Sequence, residues 1–72
     1  MEVVDLKLEG LKLIRPKVFG DARGFFLETY SAPRYKAAGI DVTFVQDNHS
    51  GSVKNTLRGL HYQSQPGQAK LI

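Results

Sequence analysis

His61, in the run Leu57-Arg58-Gly59-Leu60-His61-Tyr62-Gln63, is by type the side chain best suited to move a proton near neutral pH. On a strand it shares a face with Gln63, and Gly59 nearby leaves room for a ligand to approach. Composition alone favours a half-buried histidine held by a hydrogen bond over a proton carrier. His49 stands among Asn48, Ser50 and Ser52, where turn formation accounts for it. Arg23, Arg58 and Lys70 are cations beside glycine-containing or polar stretches. A guanidinium fork fits phosphate or carboxylate with two parallel hydrogen bonds, although each cation taken alone reads as solvated surface charge. Gln46, Asp47 and Asn48 bring amide and carboxylate groups to one strand end. There they either read sugar hydroxyls or a base edge, or simply form a turn.

Several chemistries are excluded by what is missing. The chain has no cysteine, which removes disulfides, thiolate metal sites and a cysteine nucleophile. A site of two imidazoles and a carboxylate needs His-x-His, but the second position is Gln63 and no acidic residue follows His61. No metal is expected. Neither a glycine-rich phosphate loop nor a nucleophile elbow is present. Phe25, Phe26, Tyr30 and Tyr62 invite stacking on nucleic-acid bases, but the basic residues are scattered and no RNA-binding aromatic motif occurs. No nucleic-acid partner is expected.

The elements that must position these residues belong to one small unit. At 72 residues, a chain buries only about 60% of its unfolded surface, so its core is marginal. Hydrophobic residues at 42% and charged residues at 24% argue against disorder. A net charge of +3 is a mild basic excess, compatible with an anionic small molecule. The opening Met1-Glu2-Val3-Val4-Asp5 is acidic, unlike a secretory signal, and the longest uncharged stretch, Gly59 to Ala69, is too short to span a bilayer. A cytoplasmic protein with no membrane partner is expected.

Leu11 and Leu13 alternate with Lys12 in a strand that Pro16 ends, and residues 20–24 read as a turn. Phe25 to Tyr30 reads as a strand with Phe25, Leu27 and Thr29 on one face. A short helix is predicted near residues 32–38, with Ser31 as N-cap, Pro33 in the first turn and Gly39 as the stop. Further strands are predicted over 42–47 and 56–63, with turns after each, and residues 70–72 begin a new element. The apolar ending at Leu71-Ile72 implies an all-β chain cut part-way, a single incomplete domain over residues 1–72. Its sheet is expected to be completed by another chain or by residues not present.

Taken in order, four runs are recognisable. They are Pro16-Lys17-Val18-Phe19-Gly20-Asp21-Ala22-Arg23-Gly24-Phe25-Phe26-Leu27-Glu28, Phe44-Val45-Gln46-Asp47-Asn48-His49-Ser50, the run around His61, and Gln68-Ala69-Lys70-Leu71. Together they resemble the N-terminal part of the dTDP-4-dehydrorhamnose 3,5-epimerase family. The resemblance implies a cupin-like β jelly roll, a homodimer with strand exchange, and no metal or organic cofactor. It implies epimerisation at C3 and C5 of a dTDP-linked 4-keto-6-deoxyhexose. His61 would correspond to the general base, and Lys70 would lie beside the C4 keto oxygen. Arg23, Glu28, Gln46, Asp47, Asn48 and Arg58 match nucleotide-sugar binding positions, with Arg23 and Glu28 reaching into the partner's site. The family's acid tyrosine and base-orienting aspartate fall beyond residue 72, so the isolated chain is expected to be inactive. Two alternatives stay open: a related nucleotide-sugar 3- or 5-epimerase or ketoisomerase, and a non-catalytic sugar-nucleotide or nucleic-acid binding module.

One conflict follows from the spacing. Arg58 and His61 are three apart and would face opposite sides of a regular strand, yet the resemblance asks both to reach one ligand. A bulge at Gly59 would reset the alternation and is expected there.

Overall fold

The computed structural model describes residues 1–72, which divide into two units, Met1–Asp41 and Val42–Ile72. In the first unit β1 (Glu2–Asp5) pairs antiparallel with β2 (Lys12–Arg15), placing Val3 opposite Ile14 and Val4 opposite Leu13. Both ends of this ladder carry opposite charges across the strands. Arg15 Nη1 donates to Glu2 Oε1 at 3.0 Å, and Lys12 Nζ donates to Asp5 Oδ1. Such cross-strand pairs favour one register over its neighbours, because a slip would set like charges or apolar groups against them.

A second hairpin joins β3 (Val18–Asp21) to β4 (Gly24–Leu27) through Ala22 and Arg23. Phe19 stands opposite Phe26 and Val18 opposite Leu27. Gly24, at φ +129°, closes the two-residue loop with a backbone angle that side chains resist. Lys17 Nζ sits 5.0 Å above the Phe19 ring, a cation–π contact at the entrance to the hairpin.

The helix α1 (Ala32–Ala37) follows, as the local signals predict. Gly39, at φ +89°, ends it in a Schellman arrangement: Gly39 N–H donates to the Lys36 carbonyl and Ile40 N–H to the Tyr35 carbonyl. Ser31 occupies the N-cap position with extended backbone but makes no side-chain cap hydrogen bond. Pro33 at the second helical position has no N–H to offer it, and the Ser31 hydroxyl accepts from Arg34 Nη1 at 3.5 Å instead. Tyr35 is the one buried apolar residue, 4% exposed. Its hydroxyl donates to the Thr29 carbonyl at 2.7 Å and its ring meets Tyr30 edge-on at 5.0 Å. Tyr35 therefore fixes this short helix to the preceding segment through both its ring and its hydroxyl.

Four expectations need correction. The predicted strand over 25–30 ends at Leu27, and the predicted turn over 20–24 narrows to Ala22-Arg23, because residues 20, 21 and 24 belong to the ladder. The predicted strands over 42–47 and 56–63 do not form. Their composition suits strands, but a strand exists only through a neighbour's N–H and C=O groups, and no segment of this chain supplies them. Val45, Leu57, Leu60 and Tyr62 are each at least 90% exposed. The architecture is thus mostly strands in two small antiparallel sheets with one short helix. No helix is long and apolar enough to cross a membrane.

Candidate functional site

The β3–β4 hairpin positions the first two candidates. Asp21 accepts the Arg23 backbone N–H at 2.8 Å through Oδ1, a local turn that any Asp-x-residue step can make. The guanidinium then folds back onto the same carboxylate, with Nη2 2.6 Å from Oδ2 and Nε within 3.3 Å of both oxygens. The Arg23 hydrogen bonds hold the Asp21 carboxyl below its ordinary range, and Asp21 raises Arg23 in return. Nη1 of Arg23 is left facing water, and the side chain is 90% exposed. An open groove beside it is lined by Phe19, Phe25 and Phe26 together with Gly20, Asp21 and Gly24. An exposed guanidinium nitrogen of this kind suits an anionic group.

Glu28 lies one residue past β4. Arg34 on α1 reaches it, Nη1 donating to Oε2 at 2.8 Å and Oε1 at 3.0 Å. Each carboxylate oxygen keeps lone-pair capacity for a further donor.

The other six candidates belong to the second unit. Gln46 Nε2 donates to Asn48 Oδ1 at 3.1 Å, so these amides share a side of the segment, with Asp47 between them. Arg58 is held over the loop at Gly51-Ser52, Nε donating to Ser52 Oγ at 2.8 Å and Nη2 to the Gly51 carbonyl at 3.3 Å. His61 and Lys70 are exposed. Between them, Gln68 Nε2 donates to Gln63 Oε1, and Gln63 Nε2 to the Pro66 carbonyl, closing the turn over 63–68. No hydrogen bond or ion pair joins Arg58, His61 and Lys70 to one another. Gly59 takes φ +156°, at the edge of the region that favours glycine, but no ladder runs through 57–62 for the expected bulge to interrupt.

Two residues of this site were missed by sequence reasoning. Asp21 had a readable signal, an acid two residues before a candidate arginine across a turn. Arg34 had none, because its meeting with Glu28 depends on where Tyr35 anchors the helix.

The chain matches the family model described as dTDP-4-dehydrorhamnose 3,5-epimerase over residues 5–72. It is 50% identical over 72 residues to a protein of that name from Neisseria gonorrhoeae, covering 100% of this chain and 22% of the relative. A Shigella flexneri protein of the same name is 49% identical over 74 residues, covering 100% of this chain and 41% of the relative. A Streptomyces niveus protein named dTDP-4-dehydrorhamnose 3-epimerase is 38% identical over 74 residues, with 100% and 36% covered. The chain thus spans well under half the length of these curated relatives. No solved structure gives a significant match.

Proposed function

The chain belongs to the dTDP-4-dehydrorhamnose 3,5-epimerase family, and on that premise we propose that the complete protein epimerises C3 and C5 of dTDP-4-keto-6-deoxyglucose, giving dTDP-4-keto-L-rhamnose. By complete protein we mean this chain together with the remaining part that its relatives carry. The observation that carries the reading is the family match over residues 5–72, which takes in every candidate site residue from Arg23 to Lys70.

The residue types supply a coherent mechanism. C3 and C5 are both α to the C4 carbonyl, so loss of either proton places charge on the same oxygen. His61, as a neutral imidazole, takes the proton; Lys70 holds an ammonium near the developing enolate. Reprotonation from the opposite face, by the acid tyrosine that the family carries beyond residue 72, inverts the carbon. Arg58 and Arg23 hold the diphosphate, and Glu28, Gln46, Asp47 and Asn48 hold hydroxyl and N–H groups of the nucleotide sugar. The domain is a cupin-like jelly roll, and two copies exchange strands so that Arg23 and Glu28 serve the partner's site. The exposed apolar side chains of the β3–β4 hairpin, Phe25 at 76% and Phe26 at 73%, support a surface that is covered in the assembled protein. No cofactor is required by this chemistry.

A second reading, epimerisation at C3 alone, is favoured by the Streptomyces niveus relative, whose printed name is a 3-epimerase. One experiment tests both. The complete protein is incubated with dTDP-4-keto-6-deoxyglucose in D2O, and deuterium is located by NMR. Label at C3 and C5 with inversion at both supports double epimerisation; label at C3 alone supports the second reading; label at neither overturns both.

A further inference from the structure

We infer that Arg34 is a positioning residue: by donating from one nitrogen to both oxygens of Glu28, it fixes the carboxylate plane that receives a donor group of the nucleotide sugar. The inference rests on the substrate-binding reading of Glu28 and extends it to a residue on a different element. Its structural basis is the anchoring of α1. Tyr35, buried and bonded to the Thr29 carbonyl, holds the helix one residue past the carboxylate it must meet. The neighbouring Arg34 then points to Glu28, with Nη1 2.8 Å and 3.0 Å from its two oxygens and 3.5 Å from Ser31 Oγ. Three acceptors converge on one nitrogen, an arrangement that restrains the rotation of the carboxylate about its last bond.

Stability does not explain the pair. The Arg34 and Glu28 side chains are 64% and 47% exposed, and ion pairs so placed contribute little to folding because water screens them. Orientation is what the geometry supplies. An unrestrained Glu has broad freedom at its terminal torsion, and a ligand must freeze that freedom on binding. Arg34 freezes it beforehand, leaving one lone-pair direction on each oxygen for the ligand.

The test is steady-state kinetics of the complete protein with dTDP-4-keto-6-deoxyglucose for Glu28→Gln, Arg34→Gln, Arg34→Lys and the Glu28→Gln/Arg34→Gln double variant. Arg34→Gln is expected to raise KM roughly tenfold with kcat within about twofold of wild type. Arg34→Lys should recover part of that loss, and the double variant should be no worse than Glu28→Gln alone. An unchanged KM for Arg34→Gln beside a raised KM for Glu28→Gln overturns the positioning role while leaving the Glu28 reading standing. An unchanged KM for Glu28→Gln overturns the Glu28 reading and the inference with it. If Arg34→Gln does not fold, the Arg34→Lys variant carries the test: a KM raised above wild type but by less than in Glu28→Gln supports the role, and a KM equal to wild type overturns it.

Discussion

Arg23 and Asp21 face each other across a single intervening residue, Ala22, with the guanidinium and the backbone N–H of Arg23 both donating to the one carboxylate. Asp21 therefore occupies the Nε and Nη2 edge of the guanidinium and leaves Nη1 as the nitrogen without a protein acceptor. Asp21 binds protons more weakly in the folded protein than in the unfolded chain, since its pKa is lowered from 3.8. The pair's contribution is thus present above pH 3.8 and is lost as pH falls through the lowered folded-state value. Titration of the Asp21 side-chain carboxyl by 13C NMR should give a midpoint below 3.8, returning toward it in Arg23→Gln. Equal midpoints in the two proteins would show that the pair does not persist in solution.

Removing the Tyr35 hydroxyl separates its two jobs. Tyr35→Phe keeps the ring packed on Tyr30 and deletes the bond to the Thr29 carbonyl, at a cost of about 1 kcal/mol. Tyr35→Ala also empties the space and costs about 3–5 kcal/mol. Urea denaturation of the complete protein checks the order; equal stability of the two variants would mean that the ring does not anchor α1.

Gly39→Ala tests the helix stop. A Cβ there would meet only Lys12 Cε at 3.8 Å and Nζ at 3.7 Å, ordinary contacts, so the penalty comes from φ +89° alone. About 1 kcal/mol is expected, with Gly39→Asn less costly because Asn tolerates left-handed angles. A neutral Gly39→Ala, read from the same denaturation curves, would contradict the Schellman ending.

The helix was legible because its signals are local: Ser31, Pro33 and Gly39 lie within nine residues. β1 and β3 were not, since Glu2-Val3-Val4-Asp5 shows no alternation and Gly20-Asp21 in β3 reads as turn chemistry. The segments 42–47 and 56–63 show the reverse failure. Their β-branched and aromatic residues describe a surface that fits a sheet, while pairing is a property of a neighbour that composition cannot supply. The site divides in the same way. The types of His61, Lys70 and Arg58 could be read directly and their roles came through motif order, whereas the partners of Arg23 and Glu28 depend on how a hairpin and a helix are anchored.

Arg58 is held at Ser52 and Gly51 by two hydrogen bonds, so its guanidinium is restrained on its loop. If it binds diphosphate in the ground state, Arg58→Ala should raise KM by roughly tenfold or more and leave kcat nearly unchanged. Steady-state kinetics of the complete protein give the split. A fall in kcat at constant KM would instead place Arg58 in the transition state.

The central claim is that His61 removes the protons α to the C4 carbonyl. His61→Asn in the complete protein should abolish most deuterium incorporation from D2O at C3 and C5, while the affinity for the dTDP-sugar, measured by calorimetry, stays within a few-fold of wild type. Wild-type rates of incorporation at both carbons in His61→Asn would contradict it.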